Sequence, residues 1–328
     1  MSDVGARLAE WLGRELGGPA TVGGVKRLPG GASREIWLFT LSRPGVADEQ
    51  LVLRRDPVGH VIESSREGEY RLLQTAAAAG VPVPAVRWCG VDPGGLGSFF
   101  VMEFVAGESI GRKLLRDAAL ATARERLPEQ LATALARVHA VEAIASLPAP
   151  PSDVPPAAAE LRRYDEILHG LAPDPHPALE LAIRWLGARI PAGTRRTVVH
   201  GDYRIGNVIV GPDGLRAVID WELAHVGDPM EDVGWLCVKS WRFGEDTKPV
   251  GGLCDRERFF AAYERAGGAP IDPAVVRWWE VFGNLKWAVI CIMQAQTFLH
   301  GVPNVELASL GRRTVEMELE LLDLTEAA

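Results

Sequence analysis

One stretch narrows the folds open to this 328-residue chain more than any other: TVVHGDYRIGNVIVGPDGLRAVIDWE, residues 197–222. Thr197–Val199 is a short apolar run. Gly201, Asp202, Gly206 and Asn207 cannot continue it, because these are turn and loop formers. Val208–Val210 resumes an extended pattern, Gly211–Gly214 reads as a tight turn, and Leu215–Ile219 supplies a returning strand. The segment therefore predicts a hairpin. Asp202 and Asn207 precede it and Asp220 ends it, so the three are expected to project toward one small volume beside it. Three oxygen-bearing side chains gathered in this way suit Mg²⁺, a hard cation that takes one or two carboxylates plus substrate phosphates. Taken singly, Asp202 reads as a turn former and Asp220 as a helix cap; the spacing of the whole set points to metal and phosphate chemistry.

The pattern on either side predicts an α+β chain in two parts. Val4, Leu8, Trp11, Leu12 and Leu16 share one helical face, and Gly17-Gly18 stops that helix. Strand-like runs follow at Val25–Leu28, Glu35–Leu41 and Leu51–Leu53, then a helix over Ser64–Ala79, a Pro-bounded extended segment in VPVPAVRWCG, and a buried strand at Ser98–Phe104. Beyond Leu114, long Ala/Leu/Arg-rich periodic segments predict helices at Leu131–Val141, Ala157–Leu171, Ala178–Leu186, Pro273–Gly301 and Val305–Leu324. Leu147–Pro156 is a proline-rich loop. The expected division is a β-rich lobe over residues 1–104 and a larger helical lobe over residues 105–328.

The H-G-D-x-x-x-x-N run followed by V-I-D resembles the catalytic loop and metal-binding Asp of the protein-kinase-like fold. The wording HGDYRIGN with IDWELAHVGDPMEDVGW is similar to the aminoglycoside phosphotransferase and choline kinase branch. Within it, the chain is similar to a subgroup related to the kinase domains fused to some acyl-CoA dehydrogenases. The resemblance runs from about Leu28 to His300. It implies a bilobal kinase-like fold with a small β-rich nucleotide-binding lobe and a helical lobe holding the catalytic loop and acceptor site. It also implies transfer of the γ-phosphoryl group of ATP, with GTP as the alternative, to a hydroxyl of a small molecule with the help of Mg²⁺. Such chemistry asks the protein mainly to position reactants and neutralise charge.

Carried onto this sequence, the resemblance makes Asp202 the group that orients the acceptor hydroxyl and takes its proton. Arg204 stands where protein kinases place a Lys on the transferred phosphate. Asn207 and Asp220 become the Mg²⁺ ligands. Asp232 hydrogen-bonds the backbone of the catalytic loop, and His200 packs and orients it. In LPGGASREIW, Gly30 and Gly31 let backbone N–H groups approach phosphate oxygens, and Ser33 adds a hydroxyl. The strand LVLRR places Arg54 at the position of the usual strand lysine, keeping the charge but changing its geometry. Its ion-pair partner is expected to be Glu69 of GEYRLL, with Glu67 the competitor on a different helical face. SFFVMEFVAGE resembles the hinge, where adenine would meet backbone groups from Glu103 to Val105. Glu222 is open between a water-mediated metal or substrate role and a structural ion pair, and Asp228 reads as a turn or cap. Trp278, Trp279, Trp287 and Phe298 read mostly as core, with one or two able to line an acceptor pocket.

Composition removes several other classes. The chain is 47% hydrophobic and 24% charged, as globular proteins are. Its net charge of −8 argues against a nucleic-acid partner, which needs a basic face. Cys89, Cys237, Cys254 and Cys291 form no CxxC pair, which removes zinc-ligand spacing and suits a reducing cytoplasm. The N-terminus lacks the apolar core of a signal peptide, and the run Trp287–Met293 is too short to span a bilayer. The expectation is a cytoplasmic enzyme without nucleic-acid or membrane partners. A metabolite hydroxyl, on a hydroxyacid or its CoA thioester, is favoured as acceptor over an antibiotic. The rival class is a nucleotide-binding module without catalysis, motivated by Arg54. A metal hydrolase comes last, since His200 and His225 are the only nearby histidines and lack the spacing.

Overall fold

The computed structural model describes residues 3–28, 35–56, 66–92, 95–171, 174–193, 195–302 and 304–326. Two compact units emerge: Met1–Gly107 with Arg216–Glu222, and Glu108–Leu215 with Leu223–Ala328.

The first unit contains α1 (Asp3–Glu15), β1 (Thr21–Leu28), β2 (Glu35–Arg43), β3 (Val46–Asp56), α2 (Arg66–Ala78), β4 (Val86–Asp92) and β5 (Gly97–Glu103). The strands form an antiparallel sheet in the order β1-β2-β3-β5-β4. Side chains alternate across a strand, and β3 is buried from Leu51 to Asp56 because both faces are covered. On one face Leu51 and Leu53 join Phe39, Phe99 and Val101 beneath Val4, Leu8 and Leu12 of α1. The alternation turns Val52, Arg54 and Asp56 to the opposite face, the side of α2. The Pro-bounded segment expected to be merely extended includes a full strand, β4, paired along β5.

The second unit begins with α3 (Gly111–Arg116), α4 (Ala121–Val138), α5 (Pro156–Leu171) and α6 (Pro177–Gly187). The chain continues through β6 (Thr197–Val199), the hairpin of β7 (Val208–Gly211) and β8 (Gly214–Val218), which leads at Arg216 into the segment counted with the first unit, and β9 (His225–Gly227). It ends with α7 (Met230–Cys237), α8 (Arg256–Arg265), α9 (Pro273–Leu299), α10 (Val305–Gly311) and α11 (Thr314–Glu326). α4 starts well before Leu131. Pro128, a residue that disfavours a helix interior, is buried inside it. β9 has no sequence signal, being three residues long; it pairs with β6 through Thr197↔Gly227, Val198↔Val226 and Val199↔His225.

α9 is buried around most of its circumference from Val276 to Ile292, as a helix at the centre of a helical unit must be. α7 lies directly on it. A Cβ at Gly234 of α7 would fall 2.5 Å from the Trp279 Cβ, and one at Gly283 of α9 would fall 2.7 Å from the Val238 Cγ2. Facing glycines thus allow a backbone approach that no larger residue permits. Gly234→Ala should cost about 1–3 kcal/mol by overpacking, measured by urea unfolding; an unchanged midpoint would show that the crossing is not tightly packed.

Candidate active site

In the first unit, the alternation of β3 brings Arg54 against α2. Its Nη1 lies 3.0 Å from Glu69 Oε1, while Nη2 lies 2.6 Å from Asp220 Oδ1 and 3.3 Å from Glu222 Oε2. Glu69 in turn meets Arg66 Nη1 at 2.5 Å, and Arg66 Nε meets Asp56 Oδ2 at 2.9 Å. Charges alternate along this buried chain, so each desolvated ion faces an opposite one. Burial opposes the charge of Arg54, but Glu69, Asp220 and Glu222 outweigh it and hold the guanidinium above its ordinary value. Glu67 points away and pairs with Arg71 on the exposed face. Asp220 adopts φ +68°, a left-handed conformation uncommon for a residue with a side chain.

β5 ends at Glu103, whose N–H donates to the Ala85 carbonyl at 2.9 Å and whose carboxylate pairs with Arg87. Phe104 N–H donates to the Gln50 carbonyl at 3.2 Å. Past these two residues Val105 leaves the sheet, half-buried, and no partner for its N–H is found among the described residues.

In the second unit the HGDYRIGN loop is shaped by one carboxylate. Asp232, fully buried in the first turn of α7, accepts from His200 N at 2.7 Å, from Gly201 N at 2.9 Å and from His139 Nε2 at 3.1 Å. The Tyr263 hydroxyl meets the other nitrogen of His139 at 2.6 Å. Gly201 takes φ +77°, and a Cβ there would lie 2.4 Å from the Leu223 carbonyl oxygen, so only glycine fits. Asp202 N–H donates to His200 Nδ1 at 3.2 Å. The Asp202 carboxylate is held by three donors: Trp235 Nε1 at 2.8 Å, Arg204 Nε at 3.0 Å and Asn207 Nδ2 at 2.5 Å. Arg204 also lies over the Trp241 ring, 4.7 Å from its centroid.

Beneath the loop sits a second buried cluster. Lys286 Nζ donates to the Gly201 carbonyl at 2.9 Å and to Glu231 Oε1 at 3.1 Å, and His225 Nε2 meets Glu231 Oε2 at 3.1 Å. Burial works against the charge of each. For Glu231 it is outweighed by His225 and Lys286, which hold the carboxyl down to about 2. For His225 it is outweighed by Glu231, with help from Glu160 and against Lys286, and the imidazole is pushed up to about 9.

The structure thus brings Arg54, Glu69, Asp220 and Glu222 together in the first unit, and Asp202, Arg204 and Asn207 together in the second. Gly30, Gly31 and Ser33 lie outside the described residues. Glu222 forms an ion pair with Arg54, and Asp228 accepts from Met230 N at 2.9 Å at the start of α7. Trp278 and Trp279 are core, Trp278 stacking on Phe282. Trp235, Glu231 and Lys286 escape a sequence reading. Trp235 alone left a signal, three residues after Asp232 and hence on the same helical face.

The chain belongs to the phosphotransferase enzyme family, whose sequence profile matches residues 24–279. Acyl-CoA dehydrogenase family member 10 of Mus musculus is 33% identical over 203 residues, covering 59% of this chain but 18% of that protein. The curated relatives are far longer than this chain, which spans 18% of that mouse protein and 37% of a plant relative. The fold is the kinase-like one of this family. A crystal structure from Ralstonia eutropha JMP134, assigned as an aminoglycoside phosphotransferase, superposes with TM-score 0.76 at 23% identity over 98% of both chains. Spectinomycin phosphotransferase, solved with ADP and spectinomycin, gives TM-score 0.67 at 11% identity over 96% of this chain and 98% of its own. Among the described residues no helix is long and apolar enough to cross a membrane.

Two outcomes test this geometry. Asp232→Ala would strand the buried N–H groups of His200 and Gly201, and should destabilise by about 2–5 kcal/mol in urea unfolding; a loss below about 1 kcal/mol would contradict the assignment. His225 has a folded value above its ordinary 6.5. Its stabilisation is therefore complete below 6.5 and lost as pH rises through about 9. The stability gap between wild type and His225→Gln should close by on the order of 3 kcal/mol over that rise. Glu231 behaves oppositely: its contribution is complete above 4.5 and lost as pH falls through about 2. An NMR titration placing His225 near 6.5 would contradict the cluster as described.

Proposed function

We propose that this chain is an ATP-dependent phosphotransferase that moves the γ-phosphoryl group onto a hydroxyl of a small-molecule acceptor. The observation that carries the reading is the Asp202 carboxylate, fixed by Trp235, Arg204 and Asn207 on a loop clamped by Asp232. A carboxylate held this way can accept the acceptor's proton as its oxygen attacks phosphorus, without reorganising. Arg204 lies close enough to Asp202 to turn toward a transferred phosphate, and Arg54 supplies a fork for phosphate oxygens. The N–H of Val105, without a partner among the described residues, suits a ring nitrogen of adenine, with Glu103 beside it. Gly30, Gly31 and Ser33 are proposed for the phosphates. Spectinomycin phosphotransferase, of the same fold, binds ADP, which supports ATP over GTP.

The donor set also suits Mg²⁺. Asn207 spends its Nδ2 on Asp202, leaving Oδ1 for a cation, and Asp220 presents a partly exposed carboxylate. Both are hard oxygen donors, and no thiol or imidazole is among them. Asn207 and Asp220 are the residues that would hold the ion, whose charge offsets that developing on the transferred phosphoryl group. Arg54 neutralises Asp220 and Glu222 and would turn to phosphate on nucleotide binding.

The acceptor we favour is a metabolite hydroxyl on a hydroxyacid or its CoA thioester. The relatives named for acyl-CoA dehydrogenase chemistry support it. The test is ATP consumption with Mg²⁺ across aminoglycosides, macrolides, choline-like amines, sugars and hydroxyacyl-CoAs, for wild type and Asp202→Ala. At least one acceptor should be phosphorylated, and the variant should lose about 10²–10⁴-fold in kcat. ATP binding without any transfer, alike in both proteins, would favour an inactive nucleotide-binding module. Failure to bind ATP would overturn the reading of the loop.

A further inference from the structure

Lys286 enters the interior from the middle of α9 and is 2% exposed. A buried ammonium is costly unless its donors and its charge are both matched. Glu231 supplies the charge, and the Gly201 carbonyl takes a second N–H. The ammonium also lies over the Trp235 ring at 4.9 Å and the Tyr164 ring at 5.8 Å from their centroids. Glu160, His225 and Glu231 bring ligand atoms within 4.8 Å of one another, a spacing open to a metal ion. The ammonium of Lys286 already serves Glu231 there, so the cluster reads as a counter-charge shell around a lysine.

Two of the Lys286 contacts are made to groups that hold Asp202. The Gly201 carbonyl is one end of the peptide that leads into Asp202, and the other end, Asp202 N–H, is bound by His200 Nδ1. Trp235 is the indole that donates to Asp202 Oδ1. Gly201 is held at φ +77°, and a residue without Cβ rotates at little steric cost once released. Asp232 fixes the N–H of Gly201 but not the peptide that follows it.

We propose that Lys286 is a positioning residue for phosphoryl transfer, locking the Gly201–Asp202 peptide and the Trp235 ring so that the Asp202 carboxylate keeps its angle toward the acceptor hydroxyl. The proposal rests on the function assigned above. It explains why a lysine stands at a central position of a buried helix. The side chain must carry a hydrogen-bond donor from α9 to a backbone carbonyl, and it must also match Glu231.

Lys286→Met alone strips Glu231 of a counter-charge, so the comparison is Lys286→Met/Glu231→Gln against Glu231→Gln. Three readouts are taken on the full chain: amide hydrogen exchange, ATP affinity, and Mg²⁺-dependent ATP hydrolysis with water as acceptor. The double variant should exchange the Asp202 amide at least about tenfold faster, while the Gly201 amide, held by Asp232, changes little. Its kcat should fall about 100-fold, and its KM for ATP should change less than about threefold. Unchanged exchange with kcat within about threefold of Glu231→Gln would overturn the proposal. Exchange that quickens equally along α7 and α9 would also overturn it, marking Lys286 as a general core residue. If wild type and Asp202→Asn hydrolyse ATP alike, the phosphotransferase reading fails instead. The exchange at Asp202, read against that at Gly201, then decides by itself whether Lys286 fixes the loop.

Discussion

A buried carboxylate at Asp232 is the interaction on which the shape of the HGDYRIGN loop depends. HGDYRIGN supports only part of its own backbone, through Asp202 N–H on His200 Nδ1 and Asn207 Nδ2 on the Asp202 carbonyl, because glycine at 201 adds freedom and no regular ladder continues past Val199. Asp232 removes that freedom by accepting from two successive N–H groups and a histidine. A desolvated carboxylate satisfied by such donors is stable, and it is rigid because each donor is itself fixed. The precision of the carboxylate depends in turn on where α7 lies. The glycines at its crossing with α9 let Asp232 and Trp235 reach the loop from beneath. The 27-residue α9 then returns Lys286 to the same loop from another direction.

The first unit solves a different problem with the same physics. A cation proposed to meet phosphate must be buried enough to be strong and yet able to release one side to its ligand. The guanidinium of Arg54 divides its two ends between partners: Nη1 belongs to Glu69, and Nη2 is shared by Asp220 and Glu222. A lysine at this position would have one nitrogen for all three. The chain onward through Arg66 to Asp56 keeps Glu69 from collapsing entirely onto Arg54.

Much of this was readable in the residues. Period-two alternation over LVLRR sends Arg54 to one face and Arg55 to the other, where it meets Glu35 at 2.7 Å. Helical spacing separates Glu69 from Glu67, and the loop-formers in HGDYRIGN with the strands after them yield the hairpin. What escaped are features that no local pattern encodes. β9 is too short to have a period, and its pairing with β6 is set by where the chain returns. Pro128 disfavours a helix interior, yet it is buried inside α4. No local pattern marks Lys286 or Glu231 for burial. Their burial follows only from the packing of α7 and α5 on α9, which the sequence does not announce. The placement of Asp202 and Asn207 in one unit and Asp220 in the other is likewise a property of the folded chain.

The measurement that bears most directly on the account is a crystal structure of the protein with Mg²⁺ and a non-hydrolysable ATP analogue. The account predicts adenine on the Val105 N–H, phosphate oxygens on Arg54 and a metal ion on Asn207 and Asp220. Arg54 should keep Glu69 but leave Asp220, while Asp202 stays on Trp235 and Asp232 stays on the loop. An analogue bound away from Arg54 and Val105, or a metal ion on other ligands with Arg54 still joined to Asp220, would contradict it.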